Sequence, residues 1–374
     1  MQLIINSGSS SVKWALYDKD TLVLKGMFDR LGPDCVFRIK EREERVRVHS
    51  HEHAIGFLLD FLTHNNLAQP EKVSQVVHRV VHGGEKYSGP ALVTDEVLDD
   101  IKDLSVLAPL HNPANLSGIY ACKNALANAQ HVAVFDTAFH QTIAPEVFLY
   151  GIPYELYEKH RIRKYGFHGT SHQYIATTLQ ETYGRDAHII SCHLGSGSSV
   201  TAVRAGKSVD TTMGFTPLDG VMMSTRTGEI DPEIPLFLLK HEHYSVEELQ
   251  ELFNKKSGFV GLSGHKDLRD IYALSLKGDE RCQLVIDMLS YRVAYYISAL
   301  RVATPQLRAI AFTGGIGEGA WYVRENVCSL LGIPLDQEKN KQGAQIISAP
   351  NSNIAVHVIA ADEEEMMHRL AKSL

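Results

Sequence analysis

The stretch Leu3-Ile4-Ile5-Asn6-Ser7-Gly8-Ser9-Ser10-Ser11-Val12-Lys13-Trp14-Ala15-Leu16-Tyr17 is two runs of strand-forming residues broken by a Ser/Gly turn. With a third β-type run at residues 22–28, the spacing predicts a three-stranded antiparallel meander. The same order returns half a chain later. Residues 188–194 and 198–203 read as strands around a second turn, Ser196-Gly197-Ser198-Ser199-Val200, and a third run follows at 207–212. Matched turns in matched strand contexts predict an α/β chain of two duplicated halves.

Around these anchors the sequence suggests a hairpin at 36–48, a helix at 54–63 and a buried, valine-rich strand at 73–81. A helix at 115–128 and a strand at 131–135 complete the first half. Helices are expected at 232–243, 245–254 and 280–303, then a strand at 309–313 running into the glycine-rich loop 314–319. A helix at 323–330, strands at 345–347 and 355–359, and a last helix from Asp362 close the chain.

A length of 374 residues fits two domains, and 44% hydrophobic with 22% charged residues is the balance of a globular protein with a sizeable core. A net charge of -7 gives no electrostatic reason to expect a nucleic-acid partner. The first residues lack a basic region followed by a long apolar run, so no signal peptide is expected, and no stretch is apolar enough to span a bilayer. The five cysteines, Cys35, Cys122, Cys192, Cys282 and Cys328, form no CxxC pair and read as free thiols of a cytoplasmic protein. The 19 histidines make no HExxH cluster, so no zinc site is expected.

The chemistry-bearing positions suit a phosphate ligand. A Ser/Gly turn between strands presents backbone N–H groups and hydroxyls to phosphate oxygens. The segment Thr313-Gly314-Gly315-Ile316-Gly317-Glu318 adds a strand–loop–helix nucleotide signal without a Walker lysine. Arg79 lies within an apolar run and Arg226 where an apolar stretch becomes a loop. Each reads either as half of a structural ion pair or as a donor fork for carboxylate or phosphoryl oxygens. Three histidines, His111, His168 and His193, interrupt apolar or glycine-rich stretches, and His168 is the strongest candidate to face a ligand. Asp136 follows a strand and Glu363 opens the last helix, both suited to Mg²⁺, although an acidic first turn also complements the helix dipole.

Five segments together resemble the acetate kinase family: residues 5–13, 78–84, 135–140, 165–172 and 212–218. The resemblance spans the chain and is thin around residues 19–69. It implies two duplicated ribonuclease-H-like domains of the actin-like, sugar-kinase-like and chaperone-ATPase-like superfamily, with the active site in the cleft between them. The expected division is residues 1–137 with 366–374 against 138–365. The implied reaction is reversible, Mg²⁺-dependent (or Mn²⁺-dependent) phosphoryl transfer from ATP to acetate, giving acetyl phosphate and ADP. Carried over by position, Arg79, Asp136, His168 and Arg226 are implied as catalytic. Val81, Leu110, Phe167 and Pro217 would bind the acyl group. Lys13, His193, Ser196, Gly197, Asp267, Leu268, Arg269, Gly315, Ile316 and Gly317 would bind nucleotide, with Ser9 and Ser11 on the phosphate side, and Asn6 and Glu363 would hold the metal. A homodimer is also implied.

Three positions depart from the family pattern, Ser196 and Gly319 where asparagine is usual and Ser224 where glycine is usual, and these bear on the choice of phosphoryl donor. A short carboxylic acid is already ionised at pH 7, so the transfer needs positioning and charge stabilisation rather than a general base. The alternatives are propionate or butyrate as acceptor, a donor other than ATP, and a non-enzymatic ATP-switch protein.

Overall fold

In the computed structural model, which describes residues 1–109 and 111–374, the chain divides into two compact units. Met1–Gln141 with Asp362–Leu374 forms the first and Thr142–Ala361 the second. The sequence reading divides the chain four residues earlier at the first boundary and four later at the second. The helix Glu363–Ala371 is continuous and packs on strands of the first sheet, so residues 362–365 stay with the first unit.

The first unit holds strands β1 (Gln2–Ser7), β2 (Ser11–Asp18), β3 (Thr21–Asp29), β4 (Val36–Ile39), β5 (Arg42–Arg45), β6 (Gln75–Val80), β7 (Ala91–Leu92) and β8 (Gln130–Phe135). They form one sheet in the order β5-β4-β3-β2-β1-β6-β8-β7. The second unit holds β9 (His188–Leu194), β10 (Ser198–Arg204), β11 (Lys207–Thr211), β12 (Leu307–Thr313) and β13 (Ala355–Val358), ordered β11-β10-β9-β12-β13. The duplication is explicit in the pairing. Each meander is antiparallel, and its first strand pairs in parallel with the next crossover strand, β1 with β6 and β9 with β12. A second parallel strand follows in each case, β8 beside β6 and β13 beside β12. This is the order expected of an actin-like domain pair.

The sequence of β1 reads as unbroken apolar because both faces are covered. Leu3 and Ile5 face a core with Leu58 and Leu62 of the helix His51–His64, whereas Ile4 faces Met367 and Ala371 of the last helix. In the second unit, Val285, Ile286, Leu289, Val293 and Ile297 form one stripe of the helix Glu280–Leu300 and fill the core with Ile190, Val200 and Ile310. Asp279 caps that helix by accepting from the Cys282 N–H at 2.9 Å. Full burial of each large aliphatic is worth about 1.5–3 kcal/mol.

Two local expectations change, and one helix was not expected. Residues 345–347 form no strand, and only an isolated bridge joins Ile346 to His357. The glycine-rich segment Gly314–Gly319 is a short helix rather than a loop. The helix Gly169–Tyr183 has no counterpart in the sequence reading, because the side chains it buries at its start are polar: Thr170, Ser171 and His172.

Candidate functional site

In the first unit the parallel strands β1, β6 and β8 bring Asn6, Arg79 and Asp136 to their carboxyl ends, where ligands of α/β sheets bind. Arg79 Nε donates to Asp136 Oδ1 at 2.9 Å and Nη2 to Oδ2 at 2.5 Å, a bidentate pair. Its Nη1 donates to Asn6 Oδ1 at 3.2 Å and lies 3.5 Å from Glu363 Oε2, which also accepts from Asn6 Nδ2 at 3.2 Å. Asp136 is only 1% exposed, so this is a buried ion pair. Burial alone disfavours the Arg79 charge, but Asp136 and Glu363 reverse that and push its pKa up.

Val81 and His82 are pinned by buried asparagines of the helix Asn112–Ala125. Asn115 Oδ1 accepts from the Val81 N–H at 3.0 Å while its Nδ2 donates to the Ser7 carbonyl at 2.7 Å. Asn112 Oδ1 accepts from the His82 N–H at 3.1 Å. Burial pushes the His82 imidazole down to about 4. Lys13 is exposed on β2, in register with Asn6. Burial raises the Glu364 carboxyl against the pull of Lys13. Leu110 lies outside the described residues.

In the second unit His168 has φ +55° and opens the helix Gly169–Tyr183. A Cβ on Gly197 would lie 3.2 Å from His168 Nε2 and 3.9 Å from Arg226 Nη1, so both donors face the second Ser/Gly turn. The Arg226 loop is locked by its neighbour, since Phe259 and Val260 N–H groups donate to the Met223 and Ser224 carbonyls at 3.0 Å each. Gly258 (φ +63°) permits this approach, because a Cβ there would meet Met223 O at 2.0 Å.

Arg226 differs from Arg79 in one decisive respect. Its Nη1 donates to the Pro217 carbonyl at 3.2 Å and lies 3.8 Å from Met223 Sδ, and among the described residues no carboxylate pairs with it. Burial pulls its pKa down. A largely desolvated guanidinium without a counter-ion is a site for an anion.

Beside it lies a cavity of about 840 Å³, in the range of small-molecule sites. Ser196, Gly197, Arg226, Asp267, Leu268, Arg269, Gly315 and Ile316 line it, as do the departing positions Ser224 and Gly319. Gly317 and His193 do not. The Gly317 carbonyl accepts from Arg324 Nη1 at 2.8 Å, and His193 Nδ1 is 2.8 Å from Ser171 Oγ. Phe167 is buried, and Pro217 contributes the carbonyl that Arg226 holds.

Sequence reasoning missed Tyr272, Trp321 and Tyr322, whose rings edge the cavity, with Tyr272 and Tyr322 stacked at 3.7 Å. It also missed the buried Arg324, which holds the Gly317 and Glu318 carbonyls and Asn340. No local signal marked it. His172, four residues after His168, was missed as well, because the helix Gly169–Tyr183 that sets their spacing was not read.

No cluster of three His, Cys, Asp or Glu ligands occurs among the described residues. Asp136, Glu363 and the Asn6 amide form a hard-oxygen donor set instead. That set suits Mg²⁺, which takes one or two carboxylates and completes its shell with water and phosphate oxygens.

The family model for the acetokinase family matches residues 1–369. The acetate kinase of Thermotoga petrophila is 45% identical over 100% of this chain and 98% of its own. A propionate kinase from Francisella tularensis subsp. tularensis SCHU S4 superposes with a TM-score of 0.95 at 40% identity, covering 100% of this chain and 99% of that one. The acetate kinase of Porphyromonas gingivalis gives a TM-score of 0.89 at 37% identity, with 100% and 98% covered.

Proposed function

The chain belongs to the acetokinase family, and on that footing we propose that it is an acetate kinase, moving the γ-phosphoryl group of ATP to acetate and back. The observation that carries this reading is Arg226, a desolvated cation without a carboxylate partner among the described residues, facing the same turn as His168.

In the proposed reaction an acetate oxygen attacks the γ-phosphorus as the bond to the ADP oxygen breaks, and ADP leaves opposite. Acetate is ionised at pH 7, so no side chain takes a proton. Arg226 and Arg79 hold the carboxylate and the equatorial phosphoryl oxygens, and His168 donates to the same oxygens. The nucleotide is assigned to the cavity of the second unit, along Ser196, Gly197, Asp267–Arg269, Gly315 and Ile316, with Gly317 and His193 supporting its walls. Lys13, Ser9 and Ser11 serve the phosphate side, and Val81, Leu110, Phe167 and Pro217 the acyl group.

Asn6, Glu363 and Asp136 would hold Mg²⁺, which neutralises phosphate charge when bound. Since Arg79 engages all three, it orients these oxygens as well as the phosphoryl group.

The reading extends to a cytoplasmic homodimer. Five buried free thiols favour a reducing compartment, and among the described residues no helix is long and apolar enough to cross a membrane. Leu284, Tyr291 and Tyr295 are exposed on the long helix, as are Ile234, Leu236 and Phe237 on the helix Glu233–His241. Glu229, upstream of the helix Glu233–His241, accepts from Tyr296 Oη at 2.8 Å, which ties that segment to the long helix.

Propionate is the second reading, favoured by the likeness to the Francisella tularensis propionate kinase. Trapping acyl phosphate with hydroxylamine tests both, using formate to butyrate as acceptors and ATP, GTP or pyrophosphate as donors. Highest kcat/KM with acetate and ATP supports the first reading and with propionate the second. No acyl hydroxamate from any pair contradicts both.

A further inference from the structure

One buried serine links His168 to a second histidine, and another continues the chain beyond it, so that only certain proton positions coexist. His168 Nδ1 lies 2.9 Å from Ser199 Oγ, and His172 Nε2 lies 2.7 Å from the same oxygen. His172 Nδ1 in turn lies 2.9 Å from Ser191 Oγ. Ser191, Ser199 and His172 are fully buried. We propose that Ser199 and His172 are positioning residues that hold His168 as a hydrogen-bond donor at Nε2 toward the transferred phosphoryl group. The inference rests on the phosphoryl-transfer reading above.

A hydroxyl has one proton. If Ser199 gives it to His168 Nδ1, its oxygen is left to accept an N–H from His172 Nε2, and His172 Nδ1 then accepts from Ser191. In this polarity both rings are neutral and His168 carries its proton on Nε2. In the reverse polarity His168 donates from Nδ1, and a neutral ring presents a bare lone pair at Nε2. The surroundings select the first. Nε2 faces the Gly197 turn beside Arg226 Nη1, where an anionic phosphoryl oxygen needs a donor. A protonated His168 would place a like charge opposite Arg226, and its ring also stacks on His193 at 4.3 Å, whose Nδ1 meets Ser171. A neutral Nε2–H donor avoids that repulsion, and the tautomer is set by the hydrogen bond at the other nitrogen.

Long-range ¹H–¹⁵N correlation spectra of the full chain with ¹⁵N-histidine read the tautomers directly. Peaks are assigned by their loss in His168→Gln and His172→Gln. The expected result is a pyrrole-type Nε2 and pyridine-type Nδ1 in both rings; an Nδ1–H tautomer at His168 overturns the proposal. In kinetics, Ser199→Ala should lower kcat at least about tenfold, the scale of lost outer partners, with KM values little changed. His172→Phe should do the same, and His172→Gln, which keeps an N–H near the Nε2 position, should recover most of that loss. Unchanged kcat in Ser199→Ala, or a loss confined to KM, also overturns it. If Ser199→Ala or His172→Phe does not fold, the wild-type spectrum still decides. Absence of acyl phosphate from wild type would sink the phosphoryl-transfer reading instead, leaving the spectrum to judge the network.

Discussion

Replacing Arg226 or Arg79 by alanine should remove similar amounts of catalysis and very different amounts of stability. Loss of one fixed donor to a charged transition state lowers turnover by about 10²–10³, or roughly 2.7–4 kcal/mol. For Arg226→Ala that is the whole effect. The deleted cation is half-buried and, among the described residues, pairs with no carboxylate, so its removal relieves a desolvation cost and leaves no orphaned acid. Its melting temperature should match or exceed wild type. Arg79→Ala also takes from Asp136, 1% exposed, its bidentate cation and withdraws the contact to Glu363. Breaking a buried pair by removing one partner costs about 3–5 kcal/mol. At about 2–4 °C per kcal/mol for a unit of this size, the ligand-free melting temperature should fall by on the order of 10 °C. Calorimetry of the ligand-free proteins beside the hydroxamate assay separates the two effects. Equal melting losses in both variants, or near-normal turnover in Arg226→Ala, would refute the reasoning.

Val81→Ala should raise kcat/KM for propionate or butyrate relative to acetate, by about fourfold for each extra methylene buried at about 0.8 kcal/mol; an unchanged ratio places Val81 outside the acyl pocket. Acid should destabilise the first unit through its buried histidines. His82 is held neutral by burial at about 4, and His78 and His131, 3.0 Å apart, are also pushed down by burial, with His131 and Lys123 adding to the shift of His78. The unfolded chain then binds more protons than the fold between about pH 6.5 and 4. Stability is therefore full above the unfolded value near 6.5 and drains as pH falls toward the folded one, by up to about 3 kcal/mol for His82 alone. Urea titrations at pH 7 and 5 that give equal stability would contradict this. Light scattering at micromolar concentration should report twice the chain mass of 41.6 kDa, and the monomer mass alone would contradict the dimer.

The repeated meander was legible because its signals are local: runs of strand-forming residues and a Ser/Gly turn lie within fifteen residues of one another. The helix Gly169–Tyr183 was not, since Thr170, Ser171 and His172 are buried by a polar network rather than by an apolar stripe. Residues 345–347 read as β-type, yet a strand needs a partner along its length and only one bridge forms. Gly314–Gly319 read as a loop, and its helical turn is held from a distance by Arg324 on the Gly317 and Glu318 carbonyls. Arg79 and Arg226 stood out alike as charges in apolar stretches. Which one is ion-paired depends on Asp136 and Glu363, far away in the chain and near only after β1, β6, β8 and the last helix assemble. Proton positions along Ser191, His172, Ser199 and His168 are a property of that assembly too.

The central claim is that an ionised carboxylate attacks phosphorus directly, and the fate of its oxygens tests it. With ATP and doubly ¹⁸O-labelled acetate, ³¹P spectra of the acetyl phosphate should show the isotope shift of an ¹⁸O bridge between carbon and phosphorus in every molecule formed. An unlabelled bridge, or no acetyl phosphate at all, would contradict the account.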